Sequence, residues 1–428
     1  MTLNELKVID SRPFQRLRNI KQLGFSEMAF PGATHSRYAH GLGAMHMASR
    51  IYDRLLPTIP LMLKEKAQVL RQAVRLACLL HDLGHPPLSH VSERVMPKVY
   101  LLGLDAAAVG DDGGGQRQAS HEDYTLLLLL HSELTAILTE QFKDLGVAPE
   151  DVAALICGRH MAYRGRKGST HDLFVIAGYD VLPLLHSVVS SELDADRMDY
   201  LRRDAYYCGV SYGNYDHVWL CNNLTCVEHD NQLTLGILHK AVWGFENFIL
   251  ARYHMFLAVY YHHTTVCFDH LLGAWYEEGK YRLPHDVQAY LDTDDISLIS
   301  MLRQSSSPWA KHVVQRKAWR MVVETHDFGQ GYDDSKLKER LDSHAIPYFT
   351  THSEGLLSRY FNGSQGLDSL LVLEPERGRA RKISAYTPLY ERFRDRANIF
   401  RIYCPPEHYA AARRCLQDVG TQEGARSG

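Results

Sequence analysis

The densest chemistry in this 428-residue chain is His81-Asp82, which follows the apolar run Val74-Arg-Leu-Ala-Cys-Leu-Leu80. An imidazole and a carboxylate at the end of a buried helix are costly unless a cation or hydrogen bonds compensate them. The same ligand chemistry recurs at His40, in His35-Ser-Arg-Tyr-Ala-His40, and at Asp196, in Leu193-Asp-Ala-Asp-Arg-Met-Asp-Tyr200. Histidine nitrogen with carboxylate oxygen suits a catalytic divalent metal that leaves room for water. Such an ion polarises a phosphoryl oxygen and lowers the pKa of bound water. Phosphoryl hydrolysis also needs groups that move protons and meet negative charge. His85, His90 and His121 are candidates for the first task. Arg37, three residues before His40, suits the second, because a guanidinium offers paired, planar donors to phosphate.

Helices must position these groups. Leu42, Met45, Ala48, Ile51 and Leu55 recur at helical spacing, so Tyr38 to Leu56 is expected to be a helix with His40 at its start and Pro57 closing it. A second helix, about Glu65 to Leu80, delivers His81-Asp82; Gly84, Pro86 and Pro87 then put His85 and His90 on or just after a turn. Gly110-Asp-Asp-Gly-Gly-Gly115 reads as a flexible insertion. Helical pattern resumes from His121 to about Leu145, from Pro149, and over 178–208, where Asp196 and Tyr200 share a face. Trp243 to Leu272 reads as one long helix, with Phe245, Phe248, Arg252, Met255 and Val259 as core packing.

Beyond residue 291 the texture changes. Strand-like runs occur at 346–349, 370–373 and 399–403, and a closing helix at 406–419. The expectation is a mainly α protein, with a helical body over 1–290, a smaller mixed α/β lobe over 291–420 and a disordered tail over 421–428.

Composition narrows the partners. A net charge of -3 gives no global attraction to nucleic acid or an anionic membrane, so an anion site needs local positive charge. The apolar run Thr125 to Leu130 is too short to span a bilayer. Eight scattered cysteines form no framework and read as reduced thiols of a cytoplasmic protein.

Four blocks now carry a resemblance: Phe14-Gln-Arg-Leu-Arg-Asn-Ile-Lys-Gln-Leu-Gly24, Phe30-Pro-Gly-Ala-Thr-His-Ser-Arg-Tyr-Ala-His-Gly-Leu-Gly43, His81-Asp-Leu-Gly-His-Pro-Pro-Leu-Ser-His90 and Asp194-Ala-Asp-Arg-Met-Asp-Tyr-Leu-Arg-Arg-Asp204. In their order they resemble the HD-domain phosphohydrolases, and more narrowly the deoxynucleoside triphosphate triphosphohydrolases of the branch whose vertebrate member carries a sterile-alpha-motif domain. The resemblance implies an HD-domain helical core. It implies that His40, His81, Asp82 and Asp196 converge on one divalent ion: Mn²⁺, Mg²⁺ or Fe²⁺, with Zn²⁺ also admissible. By similarity His90 and Glu93 form a histidine–carboxylate catalytic pair, with His85 near phosphate and His121 in support.

The same resemblance places Arg197 and Tyr200 on phosphate, Gln22 and Asp204 on the sugar hydroxyl, and Tyr261 and His262 around sugar and base. Read alone, Arg197 and Asp204 fit a surface ion pair equally, Gln22 a solvated side chain, and His121 an exposed helix start. Val266 stands where relatives often carry an arginine. Asp10 and Arg18 align with nucleotide-effector residues, but the Asp-Pro-x-His-Gly segment that precedes the first block in nucleotide-activated relatives is absent from this sequence. The implied activity is conversion of a dNTP to deoxynucleoside and triphosphate by a homo-oligomer, a dimer or tetramer, without nucleic-acid or membrane partners. An HD phosphohydrolase acting on another nucleotide, or a nucleotide sensor without turnover, remain the alternatives.

Overall fold

The computed structural model describes residues 1–105, 109–110, 115–229, 232–327, 334–355, 370–387, 389 and 397–423. The chain is mainly helical. Its principal helices are α1 (Leu3–Ile9), α2 (Arg12–Arg16), α3 (Arg37–Leu55), α4 (Ala67–Leu80), α5 (His121–His131), α6 (Glu133–Phe142), α7 (Pro149–Cys157), α8 (Leu182–Val189), α9 (Ala195–Cys208), α10 (Val242–Met255), α11 (His263–Glu278), α12 (Asp295–Gln304), α13 (Pro308–Val314), α14 (Ser335–Ser343) and α15 (Tyr409–Glu423).

Helix α3 starts after an extended Ser36 and buries His40, Ala44, Ala48, Ile51 and Leu55 along one face, as the spacing predicts. Helix α4 is buried at every position from Gln72 to Leu80, so it runs through the interior rather than along the surface. Helix α3 packs along both α4 and α9. Those three helices form the frame that carries the expected ligands.

Three expected helical runs are interrupted, and the one over 178–208 divides into α8 and α9 on either side of Ser190 to Asp194. Ser132 ends α5 and caps α6, its hydroxyl accepting the Leu134 N–H at 3.1 Å, so the expected single helix from 121 to 145 is broken. The expected helix from 243 to 272 is broken too. Phe256–Tyr260 winds as a π-turn, with the Tyr261 N–H donating to the Phe256 carbonyl, and His262 restarts the chain as the cap of α11.

Among the described residues, nine strands form three small sheets. β1 (Val175–Ile176) and β2 (Tyr179–Asp180) make a two-stranded turn, with β2 at the start of the stretch expected to be helical from 178. β3 (Leu224–His229), β4 (Gln232–Leu238), β7 (Leu371–Glu374) and β8 (Arg379–Lys382) make a four-stranded sheet in that order, with β4 and β7 parallel. β5 (Arg320–Asp327), β9 (Ala397–Cys404) and β6 (Phe349–Gly355) form an antiparallel sheet with β9 central. Helices α14 and α15 cover one face of that sheet around a small second core, which includes Val322, Leu341, Ile346, Phe400, Ile402 and Leu416. Residues of α12 and α13, Leu298, Leu302, Ala310 and Val313, pack in the main core with the body. The closing helix runs to Glu423; most of the expected flexible insertion at 110–115, and the tail from 424, lie outside the described residues.

Candidate functional site

Four ligand-type side chains meet where α3, α4 and α9 adjoin. His40, in the first turn of α3, is fully buried. His81-Asp82 lies just past α4. Asp196 lies in the first turn of α9, which Asp194 caps by accepting the Arg197 and Ser191 N–H groups, each at 2.7 Å. His40 Nε2 stands 2.9 Å from Asp196 Oδ1, 3.4 Å from His81 Nε2 and 3.7 Å from Asp82 Oδ2. His81 Nε2 is 3.3 Å from Asp196 Oδ1 and 3.4 Å from Asp82 Oδ1. Ligands about 2.1 Å from a cation lie about 3.0 Å apart in octahedral and about 3.4 Å apart in tetrahedral geometry. The observed edges bracket those values, and one donor atom each of His40, His81 and Asp82 lie within 4.8 Å of one another, so these three, with Asp196 against both imidazoles, suit a divalent ion. The ring orientations agree: His81 Nδ1–H donates to the Cys78 carbonyl at 2.8 Å, which leaves Nε2 facing the other ligands.

Opposed forces set the charges here. Burial alone would depress the His40 pKa, but hydrogen bonds to Asp196 and Asp199 carry it up to about 10. Burial likewise opposes ionisation of Asp82, yet Arg37 and its neighbouring histidines hold its carboxyl well below the usual range. Arg37 Nη1 donates to Asp82 Oδ2, and its Nε donates to Ser89 Oγ at 2.9 Å.

The loop after Asp82 is tied down from four directions. Thr125 Oγ1 donates to the His81 carbonyl and accepts the Gly84 N–H, both at 2.9 Å. Tyr290 O–H donates to the Gly84 carbonyl at 2.6 Å, and Arg16 Nη1 to the His85 carbonyl at 2.9 Å. Asp295 Oδ1 accepts the Leu88 N–H at 2.7 Å while its Oδ2 accepts that of Lys21 at 2.9 Å. Leu88 and Ser89 have φ of 56° and 63°, a left-handed conformation that costs a non-glycine residue about 1–3 kcal/mol. These ties hold it.

That loop assembles a second group. His85 stacks on His121 with ring centroids 3.9 Å apart, and its Nε2 lies 3.3 Å from Asp82 Oδ1, which joins the two groups. Burial, with Arg37 and His121 nearby, pushes the His85 pKa well down, so the ring is neutral. Glu93 Oε1 accepts from His90 Nδ1 at 2.9 Å and from His121 Nδ1 at 2.6 Å. Burial works against ionisation of Glu93, but these two hydrogen bonds keep its pKa far below normal. His90 is 69% exposed at its side chain and open to a ligand.

Further along α9, Asp204 is buried between His35, whose Nε2 lies 2.8 Å from Oδ1, and Tyr260, whose hydroxyl donates to Oδ2 at 2.9 Å. The buried Gln22 Oε1 and His35 Nδ1 have no hydrogen-bond partner, the state of groups that a ligand satisfies. The tyrosine on Asp204 is thus Tyr260; Tyr261 rests against Phe256 with centroids 5.5 Å apart. His262 meets Phe30 edge-on, centroids 5.4 Å apart. Arg197 is buried, donating to the Ser191 carbonyl and lying 3.7 Å from Glu192. Arg252, read as core packing, sits on the same Glu192 at 3.1 Å. Tyr200 lies near His40 and Tyr260, at centroid distances of 6.5 and 6.3 Å. His35 and Tyr260 were not anticipated, although His35 opens the same short motif as His40.

Residues 37–204 match the HD domain model, and 215–326 match the HD associated region. The chain belongs to the HD-domain phosphohydrolases. Among its relatives, the uncharacterized protein MJ1154 of Methanocaldococcus jannaschii is 28% identical over 74% of this chain and 56% of its own length. The deoxynucleoside triphosphate triphosphohydrolase SAMHD1 homolog of Dictyostelium discoideum is 29% identical over 70% of this chain and 52% of its own. The chain therefore spans about half the length of these curated relatives. A crystal structure of a hypothetical protein from Aquifex aeolicus superimposes with a TM-score of 0.72 at 28% identity, covering 97% of this chain and 96% of that one. No helix among the described residues is long and apolar enough to cross a membrane.

Proposed function

We propose that this HD phosphohydrolase converts deoxynucleoside triphosphates to a deoxynucleoside and triphosphate, water attacking the α-phosphate. The observation that carries the reading is the contact between the two groups: Asp82, of the ligand set, stands 3.3 Å from His85, of the histidine–Glu93 group. A phosphate at the first is within reach of proton donors at the second. His40, His81, Asp82 and Asp196 would hold Mn²⁺, Mg²⁺ or Fe²⁺, with Zn²⁺ also admissible. Such an ion supplies polarisation of a phosphoryl oxygen and a more acidic water.

The protein's own groups do the rest. Glu93 fixes His90 with Nδ1 protonated, which directs Nε2 toward a leaving oxygen. His121 shares that carboxylate, and neutral His85 offers a hydrogen bond to phosphate without adding charge. Arg37, Arg197 and Tyr200 line the phosphate side; Gln22 and Asp204 receive the sugar hydroxyl; Tyr261 and His262 flank sugar and base. The activity for which the Dictyostelium relative is named supports this choice of substrate. We also propose a homo-oligomer, dimer or tetramer, in the cytoplasm, where eight free cysteines fit a reducing compartment. A nucleotide effector, GTP or a dNTP, is the regulatory form of the same reading, and a rate unchanged by added nucleotides of both kinds would remove it.

The test is product analysis. The purified chain is incubated with each dNTP and each metal, and products are separated by anion exchange. Tripolyphosphate is expected. Orthophosphate instead would reassign the enzyme to another nucleotide, and binding without any product would make it a sensor.

A further inference from the structure

The fully buried His40 has a carboxylate at each ring nitrogen. Asp196 meets Nε2, and Asp199 Oδ2 lies 2.9 Å from Nδ1. Asp199 is one turn along α9 from Asp196, so both face α3 from the same helical side. It is itself held: Arg203, one turn further, donates Nε to Oδ2 at 2.8 Å and Nη2 to Oδ1 at 2.9 Å. Such a fork keeps a carboxylate ionised and fixed in orientation.

Space for this arrangement comes from α3. A Cβ on Gly43 would overlap Asp199 Oδ1 and Arg203 Nη2, and would stand 2.5 Å from the Asp199 carboxyl carbon. Gly43 is three residues after His40, on the same face. The glycine therefore makes the pocket that the carboxylate–guanidinium pair fills.

We propose that Asp199, locked by Arg203 in the cleft opened by Gly43, is the positioning residue that fixes His40 with Nδ1 protonated and Nε2 free for a metal ion. The inference rests on the metal reading above. Asp199 touches no substrate and acts through His40. An imidazole whose distal N–H is held by a carboxylate is a better-oriented and more basic ligand, and losing such a partner costs metal affinity about 10–100-fold.

Mn²⁺ binding to the full chain, measured by isothermal titration without nucleotide, tests this. Asp199→Ala is expected to weaken binding about 10–100-fold. Asp199→Asn keeps an oxygen that can accept from Nδ1–H, so it should recover part of the loss. Gly43→Ala should weaken binding with every charge still present. Circular dichroism identifies folded variants, and Asp199→Asn together with Gly43→Ala decides the case if Asp199→Ala does not fold. Parent-like Mn²⁺ affinity in folded Asp199→Ala, or in both remaining variants, overturns the inference while the metal site stands. A parent chain that binds no Mn²⁺, Mg²⁺ or Fe²⁺ removes the metal reading and this inference with it.

Discussion

Gly84→Ala is a one-carbon change that should disable the site. Gly84 lies against α5, where a Cβ would come within 2.7 Å of the Tyr124 carbonyl carbon, and closer to the His121 carbonyl oxygen and the Thr125 nitrogen. All three are backbone atoms of a buried helix, so no side chain can turn away. Ordinary contact begins near 3.4 Å, and the loop must therefore withdraw from α5 by on the order of 1 Å. That movement strains the Thr125–Gly84 and Tyr290–Gly84 hydrogen bonds and parts His85 from His121, now 3.9 Å apart. Overpacking of this kind costs about 1–3 kcal/mol. A 1 Å misplacement of reacting groups costs about 100-fold in rate. The assay pairs thermal melting with the rate of tripolyphosphate release. Gly279→Ala, whose Cβ would meet nothing nearer than 3.4 Å, is the control and should behave as the parent. If Gly84→Ala melts and turns over as the parent does, the close approach of loop to helix is not what sets the site.

His81→Ala should abolish metal binding and turnover while the fold survives, because its ring has no buried charge that depends on it alone; equilibrium dialysis and melting check both halves. Asp82→Ala is the harsher variant, since it strands buried Arg37 and should cost about 3–5 kcal/mol. His90→Ala should lower kcat about 100- to 10,000-fold with a much smaller change in substrate affinity and little change in melting, as the side chain is exposed; an unchanged kcat removes His90 from proton transfer. Glu5 offers a pH test far from the chemistry. Burial opposes its charge, but Arg75, Gln72 and the Thr2 N–H hold its pKa at about 2, below the ordinary 4.5. A depressed acid stabilises the fold above its unfolded pKa and loses that contribution as pH falls through the folded one. On the order of 3 kcal/mol should therefore disappear between about pH 4.5 and 2, and Glu5→Gln should flatten that limb of a denaturation series.

The helices that carry the ligands were legible because their apolar positions repeat with helical period: α3 and α4 lie where Leu42 to Leu55 and the run before His81 put them. The mainly α class and the HD-type core followed from those helices and the four matched blocks. Local pattern failed where long-range contacts decide. The helix break at Ser132 depends on a hydroxyl cap, and the π-turn at Phe256–Tyr260 sits inside an unbroken apolar run. In the hairpin of β3 and β4 only β4 alternates, with Leu233, Leu235 and Ile237 against Gln232, Thr234 and Gly236, and the sheet is completed by β7, more than 130 residues away. Within the site, the ligands announced themselves by type, but their supports did not. Arg16, Tyr290 and Asp295 reach the His85 loop across the chain; Arg16 lies inside the first matched block, but nothing near Tyr290 or Asp295 ties them to the loop. Asp199 did leave a signal, a carboxylate three residues beyond Asp196, which only the position of His40 makes meaningful.

The two grips of Asp295, on Leu88 and on Lys21, bear on how short a working version of this protein can be. A fragment ending at residue 290 would include every candidate ligand and yet lack the carboxylate that keeps the chain wound leftward before His90. It would also strip β7 from β4 and leave an open strand edge, an invitation to self-association. The smallest unit worth engineering must therefore run past α12 to the end of β7, and any seam for splitting or fusing the chain belongs beyond both.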